Sequence, residues 1–169
     1  RTASGTLTVN STGAGSVHLN DTSYVKSTGG AVSVTGNSLT LRSNILIPTD
    51  APYIEASTDV DVVTTDGNIV MWPNSYIKST TLGHVDIDVS GTNKYLSCRG
   101  EIQSNDGYVD VAVNAGDLFV TGGSISSLTN GDVSVGAQGI HINKGQIRAR
   151  STGDLNVTAT GELLDYPTK

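Results

Sequence analysis

Aspartate recurs at one offset in the middle of this chain, and that spacing could do chemistry. Asp61, Asp86 and Asp110 each stand between two apolar residues, in VDV, VDI and VDV, with Asp59 and Asp88 flanking them. If these segments are strands laid on one another, the carboxylates line up about 5 Å apart and repel. A bound Ca²⁺ would neutralise them, because hard cations take oxygen ligands. A cationic partner surface would do the same, and a hydrated acidic strip that keeps the molecule soluble is the plainer reading. The calcium-binding nonapeptide GGxGxDxUx is absent. The metal set the sequence offers is therefore Asp61, Asp86 and Asp110.

A second set is aromatic. Tyr24, Tyr53 and Tyr76 each precede an apolar residue in SYVKS, PYIEA and SYIKS, while Glu101, Ser124 and Gln146 hold the same place further on. The tyrosines should form an outward ladder. Exposed aromatics suit sugar rings or a protein partner, and stacking on one another in a sheet is the simpler role. Catalytic chemistry is thin. Paired acids acting on sugars would be the natural reaction, yet no second carboxylate with a distinct environment can be argued. His18, His84 and His141 are expected in different slots, so no Ser/His/Asp set emerges. Cys98, the single cysteine, stands where the pattern elsewhere has Val120 or Ile142, and reads as a small buried hydrophobe.

What must position these residues is a repeat. Gly83 to Asp106, Gly107 to Asn130 and Gly131 to Thr152 follow one scheme. Each opens on Gly and an alternating apolar strand. A small-residue turn, a second short strand, a Gly-containing corner and a third strand centred on one Ile follow. Carried outward, the openings fall at Gly5, Gly30, Thr58, Gly83, Gly107, Gly131 and Gly153, 22 to 28 residues apart. First-strand pairs run from Leu7/Val9 to Leu155/Val157 at period two, which puts both members on one face. Second-strand pairs run from Val17/Leu19 to Ile140/Ile142; Leu163 starts a last one that Asp165 breaks. The third strand offers Val25, Ile54, Ile77, Ile102, Ile125 and Ile147. This predicts an all-β, single-domain parallel β-solenoid of about seven three-strand coils of roughly 24 residues. Right-handed crossovers are expected. The longest unit places extra residues at Asn44 to Pro52, with Trp72-Pro73 at the same corner one coil on.

Composition agrees. The 169 residues are rich in Gly, Ser, Thr, Asn and Val, and poor in helix formers. A net charge of −6 argues against nucleic acid and against anionic membrane surfaces, and no apolar run is long enough to span a bilayer. A chain that starts at Arg1 reads as a processed piece. Neither end shows a capping helix, so the open edges suggest a slice of a longer rod or subunits stacking end to end.

The stretch GDVSVGAQGIHINKGQIRARSTGDLNVTATG, Gly131 to Gly161, resembles filamentous haemagglutinin-type and related adhesin repeats. That resemblance implies an extracellular or cell-surface, rod-like structural or adhesive module without enzymatic activity. Its partners would be copies of itself or adjoining coils, and glycans or a host surface. The alternative is a carbohydrate-binding or carbohydrate-active β-helix of tail-spike or polysaccharide-lyase type.

Overall fold

The computed structural model describes residues 5–44 and 51–166. Among them are twenty strands and no helix. They wind into a parallel β-solenoid in which each strand pairs with its equivalent one coil away. The first sheet stacks β1 (Leu7–Asn10), β4 (Val32–Gly36), β7 (Val60–Thr64), β10 (Val85–Val89), β13 (Val109–Val113), β16 (Val133–Ala137) and β19 (Leu155–Ala159). The second stacks β2 (Val17–Asn20), β5 (Leu39–Arg42), β8 (Ile69–Met71), β11 (Tyr95–Cys98), β14 (Asp117–Thr121), β17 (Gly139–Asn143) and β20 (Leu163–Tyr166). The third stacks β3 (Tyr24–Ser27), β6 (Tyr53–Ala56), β9 (Tyr76–Ser79), β12 (Glu101–Ser104), β15 (Ser124–Ser127) and β18 (Gln146–Ala149). Six coils contribute a described strand to each of the three sheets, and a seventh contributes two. At about 4.8 Å per coil the stack is about 30 Å long.

The register is the one the period-two pattern demands. Val60, Val85, Val109 and Val133 lie on one another, as do Ile54, Ile77, Ile102 and Ile125. Leu96 sits between Ile69 and Leu118, and Cys98 between Met71 and Val120. All of these are buried. Each fully buried Val, Leu or Ile contributes on the order of 1.5–3 kcal/mol, an upper figure because the unfolded chain already hides some surface. A slip of one residue would turn every pair outward, so the core itself locks the register. The apolar pair that Leu163 starts is interrupted by Asp165 as expected, while the β20 backbone pairs onward, Asp165 to Ile142 and Tyr166 to Asn143. A backbone ladder accepts a charged residue whose neighbours supply the hydrogen bonds.

The opening glycines have a steric cause. A Cβ on Gly107 would lie 2.2 Å from the carbonyl oxygen of Gly83, and one on Gly131 would lie 1.9 Å from that of Gly107. Consecutive coils approach too closely there for any side chain. Serines at the end of the third strand complete the joint. Ser104 Oγ donates to Gly83 O at 2.7 Å and accepts from Gly107 N at 2.8 Å. Ser127 does the same between Gly107 and Gly131, at 3.0 and 3.1 Å. One hydroxyl thus ties the start of its own coil to the start of the next. Where Thr58 replaces the opening glycine, the corresponding buried Ser79 Oγ has no partner.

Candidate functional site

The acidic strip forms as the repeat requires. Asp86 in β10 pairs in register with Asp61 in β7 and Asp110 in β13. Ser33 and Ser134 hold the rank beyond them, so the strip is confined to three coils. The neighbouring rank is what the strand pattern does not show. Asp59, His84, Tyr108, Asp132 and Asp154 each follow a coil-opening residue. Their backbones stack through bonds such as Val60 N to His84 O and Val85 N to Tyr108 O, both part of one ladder. His84 consequently leans over the strip. Its Nδ1 lies 3.0 Å from Asp59 Oδ1 and its Nε2 lies 3.4 Å from Asp86 Oδ2. Tyr108 stacks on the imidazole, with centroids 4.6 Å apart and planes within 4°. Its hydroxyl donates to Asp86 Oδ2 at 3.5 Å.

Burial is the first reason Asp86 holds its proton more tightly than an ordinary carboxyl; Asp61 and Asp110 add to it, and His84 opposes it. One donor atom each from Asp61, His84 and Asp86 lies within 4.8 Å of the others. These three could hold a divalent ion. The set differs from the sequence expectation, since His84 takes the place given to Asp110. An imidazole with two carboxylates suits Zn²⁺ or another borderline ion better than Ca²⁺, which takes oxygen alone. Asp59 on the far ring nitrogen would orient the imidazole. The signal for His84 was legible as an offset: it follows Gly83 as Asp59 follows Thr58. Asp88 stands apart, accepting from Asn114 Nδ2 at 2.7 Å and Ser90 Oγ at 3.2 Å.

The tyrosine ladder exists, and its geometry limits what it can bind. Tyr24 and Tyr53 stack at 5.1 Å and 6°, Tyr53 and Tyr76 at 4.7 Å and 8°. Parallel rings spend their faces on each other and turn edges to solvent. A sugar ring wants a free face, which is left mainly on half-exposed Tyr24. Glu55, beside the ladder, accepts from Tyr76 Oη at 3.3 Å and pairs with Lys26 Nζ at 2.7 Å. Burial, then Glu55, pushes the Tyr76 phenol up. The arrangement stabilises the third sheet.

His18 and His141 do share a slot, contrary to expectation. Both lie in the outward rank of the second sheet that runs through Thr40, Val70, Ser97 and Phe119. They stand five coils apart in that rank, because a shared slot means a shared side of the rod and not proximity. His141 instead stacks on Phe119 at 4.8 Å, and Tyr95 meets Phe119 edge-on at 6.1 Å. Cys98 is buried, and burial pushes its thiol up to about 12, so it is no nucleophile. Within the Asn44–Pro52 insertion, residues 45–50, including Ile45, Ile47 and Pro48, lie outside the described residues. Trp72 carries the Arg42 guanidinium 5.1 Å from its ring centre. Comparison of the chain with protein-family models, with curated proteins and with solved structures finds no match in any of the three.

Proposed function

We propose that this protein is a non-catalytic structural or adhesive rod module of the cell surface, extended along its axis by a second copy or by adjoining coils. The observation that carries the reading is the state of the two axial faces. Among the described residues, β1, β2 and β3 pair on one side only, as do β18, β19 and β20. The apolar ladders run out to these faces, with Leu155 and Leu163 half exposed and Leu7, Val9, Ile147 and Val157 only partly covered. A face that offers both unpaired backbone groups and core side chains is a template for another coil. The resemblance of Gly131–Gly161 to filamentous haemagglutinin-type adhesin repeats supports the same reading. Negative-stain electron microscopy of the purified chain across a concentration series tests it. Particles several multiples of 30 Å long are expected; strictly single-coil-stack particles at every concentration would remove the self-stacking form.

A further inference from the structure

The corner between the second and third sheets collects side chains that the repeat does not need. Arg42, Arg99 and Lys144 stand there in the second, fourth and sixth coils. Neither Arg99 nor Lys144 takes part in an ion pair among the described residues, whose pairs are Lys26–Glu55, His84 with Asp59 and Asp86, and Lys94–Asp66. Both are exposed. Between them runs a furrow of about 600 Å³, from Asn74 to Gln146. An adjoining hollow of about 370 Å³ shares Arg99 and Lys144.

The floor is bare backbone. A Cβ on Gly100 would lie 2.1 Å from Ser75 O, and one on Gly123 would lie 2.5 Å from Gly100 O, so coil stacking forbids side chains there. The walls carry Ser124, Gln146 and Asn74, uncharged groups that hydrogen-bond hydroxyls. Lys144 itself has φ +55°, in the left-handed region that Asn74 (+67°) and Gly122 (+69°) use in other coils. A residue with a Cβ is held there although glycine or asparagine is favoured, and Lys144 lines both hollows.

Two coils separate Arg99 from Lys144, a rise of about 10 Å. That step suits a linear polymer with one anion per two sugar residues. A net charge of −6 repels densely charged chains such as nucleic acid, while a sparse anion can be met by one cation at a time. We propose that this furrow binds a linear acidic polysaccharide, with Arg99 and Lys144 each taking a carboxylate and Asn74, Ser124 and Gln146 reading the hydroxyls between. Arg99 can donate two parallel N–H bonds to a carboxylate. Glu101 shares the furrow and opposes the anion, which limits affinity. The proposal needs no axial stacking.

Hyaluronan oligosaccharides, which carry one carboxylate per disaccharide, are the probe. Their methyl esters and poly-glutamate of matched length are the comparisons, all by calorimetry at low salt on the full chain. Hyaluronan should bind, and its ester at least about tenfold more weakly. R99Q and K144Q should each weaken binding about tenfold, and E101Q should strengthen it. All three sites are exposed, so circular dichroism should show unchanged folding. Absence of hyaluronan binding, equal binding of the ester, equal binding of poly-glutamate, or indifference to R99Q and K144Q would each overturn the proposal. The length of particles in the microscope is a separate readout, so the two readings fail independently.

Discussion

A single hydroxyl decides how well each coil is closed. Ser104 satisfies a carbonyl and an N–H that would otherwise be buried alone, so Ser104→Ala should cost about 1–3 kcal/mol in a urea titration. Ser79 is as deeply buried and its hydroxyl has no partner, so Ser79→Ala should be neutral or slightly stabilising in the same measurement. Cys98 sets an alkaline limit. Its proton is held from an ordinary 9.0 up to about 12 in the folded chain, so the unfolded chain releases it first. Stability should be intact below pH 9 and fall as pH rises towards 12. Cys98→Val should fall less steeply over that window while changing stability at neutral pH by under about 1.5 kcal/mol. Asp86 acts in the other direction. Its folded carboxyl keeps its proton more tightly than the unfolded one, so its ionisation destabilises the fold and the loss is recovered as pH falls. Asp86→Asn should therefore raise the melting temperature at neutral pH, and the gain should shrink towards pH 3.8.

At the scale of the coil, close axial approach governs. The stack brings backbone carbonyls to where a Cβ would sit at Gly83, Gly107, Gly131 and Gly153. Gly107→Ala forces backbone apart and should cost on the order of 1–3 kcal/mol by overpacking. In thermal melts that should lower Tm by about 2–4 °C per kcal/mol for a chain of this size. Gly136 meets nothing within 4 Å, so Gly136→Ala is the matched control and should be close to neutral. The tyrosine ladder belongs to this scale as well. Its rings stack as cross-strand neighbours, and such pairs contribute fractions of a kcal/mol to about one each.

Across the whole molecule, the axial faces and the sides differ in chemistry. The C-terminal face carries half-exposed Leu155 and Leu163, and a lysine there would bury its charge on stacking. Leu155→Lys combined with Leu163→Lys should abolish long particles in the microscope and leave circular dichroism unchanged. The sides divide by charge: Asp61, Asp86 and Asp110 mark the first sheet, and Arg42, Arg99 and Lys144 mark the opposite corner. A rigid stack keeps that separation fixed along its length.

The period of two and the recurring glycine were enough to determine coils, registers and core, because identical slots stack and a one-residue slip would expose every pair. For the same reason the Asp61/Asp86/Asp110 rank and the Tyr24/Tyr53/Tyr76 ladder were legible in the chain. What only the tertiary structure decided lies at the corners and in the side-chain torsions. His84 reaches Asp86 because a corner folds one rank over the next. The tyrosines show edges because their rings chose to face each other. Arg99 and Lys144 flank one furrow because the coils stack their corner residues there, over a floor of Gly100 and Gly123. Strand periodicity says which side of a sheet a residue takes; it carries no information on how neighbouring sheets meet.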